Sequence, residues 1–281
     1  MECKSDENLG FEDQEMSVKG GFSRTDLACE AGRPTRVSQE MAVPLAGEGN
    51  VSILRCTEED GSQYVTLTTP KLTHLGVAGV SALVRILAEE LTAMAERMLS
   101  KPLDAHTRIL VAGLGNPDMT ADAVGPMTVR SITATRHLRE SNEEMYAALG
   151  CCELSAVAPG VLGQTGIESG EVIRGAVRHV KPELVVAVDA LAARDCGRLA
   201  GTIQISDGGI APGAGVGNHR MAIDAESMAC PVLGMGVPTV VDSATLVYDA
   251  LAKADVGEDE ISPALRKVLE NGRSFVVSPK D

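Results

Sequence analysis

Residues 108–126 read RILVAGLGNPDMTADAVGP, and this stretch decides the fold class. The apolar run RILVAGL (108–114) predicts a buried strand, and the segment that follows the glycine turn, residues 121–140, predicts a helix. A strand, a glycine-rich turn and a helix form the unit from which parallel sheets are built. In such sheets, ligands bind at the carboxyl ends of the strands, so the turn is also a candidate site.

The same alternation of apolar strands and amphipathic helices continues on both sides of this stretch. We predict strands at 153–159, 183–191, 202–206 and 231–237, helices at 76–99, 169–181 and 240–254, and two short strands within 53–70. Ser169 is a plausible N-cap for the second of these helices. The pattern predicts an α/β protein of three layers, with a mainly parallel sheet and helices on both faces.

Composition and charge restrict the classes of function. The chain has 281 residues, of which 44 % are hydrophobic, and its net charge of −14 at pH 7 argues against direct binding of nucleic acid. It contains no run of 18 apolar residues and no apolar segment near its start, so we expect no membrane span, no signal peptide and a cytoplasmic location. Seven cysteines without a CxxC pair indicate reduced thiols.

The residues of the glycine turn argue against two interpretations, a dinucleotide-binding turn and a peptidyl-tRNA hydrolase. A dinucleotide fingerprint needs a third glycine where Asp118 stands, and the turn carries no lysine for a phosphate. The letters GLGNP also resemble the start of peptidyl-tRNA hydrolases, but the segment TRHL (135–138) comes too late for that family's pattern and lacks its asparagine.

Carboxylate chemistry is the interpretation that remains. Asp122 begins a predicted helix and Asp189 ends a predicted strand, so both should point into the crevice above the sheet. Two carboxylates in one site share a proton, so that one can activate a water while the other acts as an acid. The pair could instead hold a divalent metal. Simple structural roles, a helix N-terminal acid and a strand-end cap, stay open for both residues.

Several long strings resemble the germination protease family of spore-forming bacteria. They include GLGN (113–116), TADAVGP (120–126), LSAVAPGVLGQTGIESGEVI (154–173), VVAVDALAAR (185–194), TIQISDGGIAPGAGVGNHR (202–220) and GVPTVVDSATL (236–246). The resemblance implies an endopeptidase, made as a zymogen, that degrades small acid-soluble spore proteins in the spore core. It also implies a fold similar to the hydrogenase maturation proteases, a homotetramer, and catalytic roles for Asp122 and Asp189.

With this resemblance, the glycine-rich segments become candidates for binding the substrate backbone or stabilising an oxyanion. The candidates are Gly113, Gly115, Asn116, Asp207, Gly213, Gly215, Gly217 and Asn218. A turn-forming role for Asp207, a surface role for His219 and a simple connector role for the loop 207–220 remain as alternatives.

The family's substrates are cleaved after an acid, and Thr25-Asp26-Leu27-Ala28 has the corresponding order of hydroxyl, acid, large apolar and small residues. We therefore predict a propeptide arm at 1–26, cleaved between Asp26 and Leu27, and a single protease domain at 27–281; a helix-start signal is the alternative. The family's C-terminal helical tail is expected to be missing. The alternatives that stay open are a catalytically inactive binding or regulatory protein of the same fold, if that tail is essential, and a hydrolase similar to peptidyl-tRNA hydrolases.

Overall fold

One mixed sheet organises the computed structural model, which describes residues 26–27, 35–212, 220–254, 256, 260–272 and 276–278. The strands are β1 (Thr35–Pro44), β2 (Asn50–Glu58), β3 (Gln63–Thr68), β4 (Arg108–Gly113), β5 (Glu153–Val157), β6 (Leu184–Ala192), β7 (Thr202–Ser206), β8 (Val232–Asp242) and β9 (Val276–Val277). The strand order is β1-β2-β3-β7-β8-β6-β4-β5, with β9 paired to the end of β8. The α/β class predicted from the sequence is therefore confirmed.

The sheet has two halves of different character. Strands β5, β4, β6 and β8 pair in parallel, as predicted, whereas β1, β2, β3, β7 and β8 pair in antiparallel fashion. The expectation of a mainly parallel sheet is thus wrong for the half that contains β1 to β3 and β7. Because β1, β2 and β3 are joined by short turns, they can only pair as antiparallel neighbours.

Helices cover both faces of the parallel half. The helices are α1 (Val77–Leu99), α2 (Val124–Ser131), α3 (Arg136–Ser141), α4 (Glu143–Leu149), α5 (Leu162–Thr165), α6 (Ser169–Val180), α7 (Ala225–Met228), α8 (Ser243–Lys253) and α9 (Pro263–Gly272). On one face, Ile173 of α6 packs with Leu110 and Ala112 of β4, while Val111 of β4 packs with Val129 of α2 on the other. Alternate residues of β4 therefore serve two separate cores.

The antiparallel half buries one face against α1. Leu83, Ile86 and Met94 of that helix share a core with residues of β2, β3 and β7, such as Leu67 and Ile205. The predicted helix over 76–99 and the predicted strand pair within 53–70 are both confirmed. No helix in the described ranges is long and apolar enough to cross a membrane.

The helix predicted over residues 121–140 is broken in the structure. A short 3-10 turn (Thr120–Asp122) and α2 are followed by an extended residue, Ile132, and the chain becomes helical again only at α3. Thr135 explains the break, because its buried hydroxyl donates to the Cys152 carbonyl and accepts from the Leu154 N–H. These two hydrogen bonds hold residue 135 against the chain at β5, a position that residue 135 of a continuous helix would not occupy.

Two further expectations concern Ser169 and the arm predicted at residues 1–26. Ser169 is the first residue of α6 and not its N-cap, which is Glu168; the Ser169 hydroxyl donates instead to the Gly160 carbonyl, at 2.8 Å. The arm predicted at residues 1–26 lies outside the described residues except for its last residue, Asp26. The strand β1 was not predicted from the sequence.

Candidate active site

Two adjoining clefts open where the parallel strands end. The larger cleft, of about 320 Å³, is lined by residues that include Glu58, Gln204 and Gly236. The smaller cleft, of about 200 Å³, is lined by residues that include Asp122 and Arg220. Asp26 and Asp189 line both clefts, so these two residues mark where the clefts meet. This is the edge of the sheet at which the sequence predicts a site.

The glycine turn after β4 holds Asp122 in place. The Asn116 N–H donates to Asp122 Oδ2 at 2.8 Å, and Gly115 adopts a φ of +112° that favours glycine. A Cβ atom on Gly115 would lie 2.0 Å from the Asp122 carbonyl oxygen. The glycine therefore allows the turn to fold back against the residue that carries the carboxylate, and one backbone N–H of the turn binds that carboxylate.

A second close approach brings Asp122 next to Asp189. Gly125, at the start of α2, lies so near the strands that an added Cβ would be 2.3 Å from the Leu114 carbonyl oxygen and 2.5 Å from that of Val188. Leu114 also donates its N–H to the Val188 carbonyl at 2.8 Å. Because Asp189 follows Val188 directly, this contact places the two carboxylates on one cleft, as the sequence predicts.

Asp189 is the more buried of the two carboxyl groups. Its residue is only 6 % exposed, and the Ala190 N–H donates to its Oδ1 at 2.9 Å. Burial raises the pKa of Asp189 to about 7, and the carboxylates of Asp122 and Asp26 raise it as well. The Ala190 N–H and the Arg220 guanidinium oppose this rise. Asp189 can therefore hold a proton at mildly acidic pH.

Asp122 lies in a more polar environment. Burial raises its pKa above the usual value, but the Asn116 N–H and the Arg220 guanidinium both favour its ionised form. The two carboxyl groups thus differ in burial and in hydrogen bonding. Such a difference separates an acid from a base within one pair, because the more buried group keeps the shared proton.

Asp26 lies at the junction of the clefts, and the next residue, Leu27, is buried. The Asp26 N–H donates to the Ala192 carbonyl at 2.9 Å, and Asp26 Oδ2 accepts from the Ala192 N–H at 2.8 Å. Leu27 has no exposed surface and packs against residues that include Leu191 and Val241. Of the predicted cleavage sequence, Asp26 therefore lines the same clefts as Asp189 and is hydrogen-bonded to the last residue of β6, whereas residues 25 and 28 lie outside the described residues.

Some of the other predicted site residues line the clefts, whereas others form hydrogen bonds that hold the surrounding structure. Asn116 accepts at its side-chain oxygen from the Asp118 N–H and from Gln164 Nε2, both at 3.0 Å. Asp207 accepts from the Gln63 N–H at 2.7 Å and from Arg97 at 2.8 Å, and it lines neither cleft. Residues 208–211 line the larger cleft and Pro212 the smaller one.

Four candidates and His219 cannot be placed. Gly213, Gly215, Gly217 and Asn218 belong to the part of the loop that lies outside the described residues. Gly113, in contrast, ends β4 and contacts the start of α2, where an added Cβ would lie 2.1 Å from the Gly125 carbonyl oxygen. Its contacts in the structure are therefore packing contacts.

Two residues of the site were missed in the sequence. Arg220 lines the smaller cleft with both carboxylates, and Gln204 is 6 % exposed on the wall of the larger one. A signal was available for Gln204, since it is the polar residue at the centre of the strand TIQIS (202–206). Arg220 ends the glycine-rich loop, and nothing in the local pattern distinguishes it from a surface cation.

The described side chains do not form a metal centre. Within the described ranges, no group of three or more His, Cys, Asp or Glu residues comes together in a way that could hold a metal ion. Asp122 and Asp189 supply two carboxylates, and a guanidinium lies near both. Among the described residues this donor set is one ligand short of the three protein ligands that a catalytic zinc usually has.

Comparison with known proteins gives one consistent result. A family model described as germination protease matches residues 43–254. Proteins named germination protease are 42 % identical in Clostridium acetobutylicum, 40 % in Caldanaerobacter subterraneus subsp. tengcongensis and 37 % in Priestia megaterium. These matches cover 74 %, 88 % and 85 % of this chain, and 64 %, 79 % and 69 % of the respective relatives. The chain thus spans about two thirds to four fifths of the length of these relatives.

Proposed function

The chain belongs to the germination protease family, and from this premise we propose that it is an endopeptidase that begins the degradation of small acid-soluble spore proteins during germination. The observation that carries the proposal is the pair of carboxyl groups, Asp122 and Asp189, on one cleft at the carboxyl ends of the strands. Their different burial supports separate roles as base and acid.

In the proposed reaction, ionised Asp122 takes a proton from a water molecule, which attacks the scissile carbonyl carbon. Protonated Asp189 then gives its proton to the leaving nitrogen. Arg220 favours the ionised form of Asp122, and burial keeps the proton on Asp189. Hydrolysis by a carboxylate pair is thus our proposal for the catalytic type, with no metal among the reacting groups.

Cleavage of a purified small acid-soluble spore protein tests this function. Asp122→Asn and Asp189→Asn should each lower the rate by about 10²-fold or more, since asparagine cannot exchange the proton. Asp118→Asn is the matched control, because Asp118 is an exposed carboxylate in the same turn. Fragments are identified by mass spectrometry, with and without a chelator. Full activity of either active-site variant, or complete loss in the chelator, would contradict the proposed roles.

We also propose that the protein is a zymogen that cuts its own chain between Asp26 and Leu27. Two observations support this: the order of residues Thr25 to Ala28 resembles the family's cleavage sites, and Asp26 lies at the junction of the clefts beside Asp189. An arm that occupies the cleft would exclude other substrates until it is removed. Because the pair needs one proton, mild acidification should start the reaction.

N-terminal sequencing of the full chain after incubation at mildly acidic pH tests self-processing. The expected new first residue is Leu27, and Asp189→Asn should remain intact while Asp118→Asn is processed normally. A different first residue would contradict the assigned bond. Processing of the Asp189→Asn chain on its own would contradict the self-cleavage.

Three further features of the family are proposals for this chain. Its fold is similar to that of hydrogenase maturation proteases, which the parallel half of the sheet supports, and it acts in the spore core. It forms a homotetramer, an assembly that the exposed row Val77, Val80 and Val84 on α1 supports, because such apolar rows commonly form interfaces. Light scattering of the purified chain, compared with a Val80→Glu, Val84→Glu variant, tests the assembly.

A further inference from the structure

Gln204 lies at the same level of the sheet as Asp189. In the strand register, Asp189 of β6 is opposite Gly236 of β8, and Gly236 is opposite Gln204 of β7. Residues directly opposite one another in a sheet project to the same face. Both side chains therefore stand on the same cleft, on either side of a residue that has no side chain. Two strand spacings, about 10 Å, separate their backbones.

The side-chain amide of Gln204 contacts one particular atom of the chain. Its Nε2 donates to the backbone carbonyl oxygen of Asp26, at 3.2 Å. That carbonyl belongs to the peptide bond between Asp26 and Leu27. The two residues are held on both sides of this bond, by Ala192 at Asp26 and by the buried side chain of Leu27. The contact is therefore made to a carbonyl in a fixed position.

We propose that Gln204 is a catalytic residue that binds the scissile carbonyl oxygen and stabilises the oxyanion formed when water attacks. The inference rests on the function proposed above, and it names a role that is separate from the two proton transfers of the carboxyl pair. An ionised carboxylate accepts hydrogen bonds and does not donate them. An amide N–H is a neutral donor, and donors directed at the developing charge are a large part of acyl-transfer catalysis.

The proposed hydrolysis begins at the carbonyl carbon of Asp26. The water oxygen bonds to the carbonyl carbon of Asp26 and gives one proton to the ionised carboxylate. The electron pair of the C=O double bond moves to the oxygen, which accepts the hydrogen bond from Gln204. When this pair returns, the bond between carbon and the Leu27 nitrogen breaks, and the nitrogen takes the proton of the protonated carboxyl group. The products are a carboxylic acid at Asp26 and an amine at Leu27.

Self-processing of the full chain measures this role without a separate binding step, because the substrate is already part of the molecule. Gln204→Met keeps the length of the side chain but removes the donor, and its first-order processing rate should fall by about 10²- to 10³-fold. Gln63→Met, in the half-buried glutamine at the start of the neighbouring strand β3, is the matched control and should process at the wild-type rate. Thermal melting checks that each variant is folded.

Gln204→Glu tests whether the donor itself is needed. A glutamic acid donates a hydrogen bond only when protonated, so its processing rate relative to the wild type should recover as the pH falls. A donor that only holds the arm in place would recover in the same way. Cleavage of an added spore protein by the processed chain separates the two roles: Gln204→Met should lower kcat by about 10²-fold if the amide stabilises the oxyanion, and leave kcat unchanged if the amide only holds the arm.

The outcomes distinguish the two proposals. If the wild-type chain neither processes itself nor cuts a spore protein, the proposed function fails. If the wild type and Gln63→Met process normally and Gln204→Met is folded and equally fast, the role of Gln204 is overturned while the function stands. A Gln204→Glu chain that is equally slow at every pH also overturns it, and this result decides the question if Gln204→Met does not fold.

Discussion

Replacing Asp189 by asparagine should make the protein more stable at neutral and alkaline pH. In the folded state Asp189 keeps its proton up to about pH 7, whereas an unfolded aspartate loses it near 3.8. Between these values the folded state binds one more proton than the unfolded state, so the wild-type free energy of unfolding falls as the pH rises. A difference of about three pKa units corresponds to about 4 kcal/mol. Asparagine has no proton to lose, and its side-chain oxygen can still accept from the Ala190 N–H.

The measurement is urea unfolding of the wild type and Asp189→Asn at a series of pH values from 4 to 8.5. The difference in unfolding free energy should be near zero at pH 4, grow through the window between 4 and 7, and reach a plateau above it. Asp118→Asn, at an exposed carboxylate of the same turn, is the control and is unfolded in parallel at each pH. Gels run before each experiment confirm that the chains are intact. A difference that is constant with pH, or that grows as the pH falls, would refute the assigned protonation.

Four other outcomes follow from the structure. Activity should have a bell-shaped pH dependence, with an alkaline limb near pH 7 as Asp189 loses its proton and an acid limb as Asp122 gains one; a flat profile would contradict the pair. Arg220→Gln should move both limbs to higher pH in the same kinetic assay, because the guanidinium favours the ionised form of both groups. Gly115→Ala should lower the unfolding free energy by about 1 to 3 kcal/mol in urea, since its φ of +112° and the nearby Asp122 carbonyl exclude a Cβ. Leu27→Ala should lower the unfolding free energy by about 2 to 5 kcal/mol, because the side chain is fully buried. An unchanged urea midpoint would show that the burial of Leu27 does not stabilise the fold.

Regular elements with a strong apolar period were predictable. The strand over 202–206 was predicted to the residue, and the helices over 76–99 and 169–181 differ from the observed α1 and α6 by one residue at an end. These segments are buried on one or both faces, so their patterns follow directly from packing. The pairing of the strands was harder to predict from the sequence, because the antiparallel half depends on contacts between distant parts of the chain, such as β3 with β7.

The break in the predicted helix 121–140 shows where local reasoning fails. Its apolar spacing is helical, but Thr135 forms two hydrogen bonds to the chain around β5, nearly twenty residues away. The spacing of apolar residues within one segment does not indicate which distant part of the chain will form hydrogen bonds with it. The same limit applies to Gln204, whose role depends on an atom of Asp26 at the other end of the chain.

The placement of Asp122 and Asp189 on one cleft was predictable, whereas their surroundings were not. A strand end and a helix start at the same edge of a sheet follow from the order of the elements. The pKa difference between the two residues depends on burial, on the Asn116 N–H and on Arg220, which only the folded chain brings together. Catalytic roles for the pair remain a prediction until the variants are assayed.

The attachment of Asp26 to residue 192 has a consequence for how the site tolerates mutation. Asp26 makes two of its hydrogen bonds with the main chain of residue 192, so the side chain at that position supplies no partner atom to them. Ala192 is only 3 % exposed, so small residues such as glycine and serine should preserve these bonds, whereas proline, which lacks the N–H, should weaken them. In a saturation library, the size of the side chain and not its polarity should limit this position, although it adjoins the proposed scissile bond. Selection would also act on the residues that set the register of β6 against β8, because this register fixes where the main-chain groups of residue 192 lie.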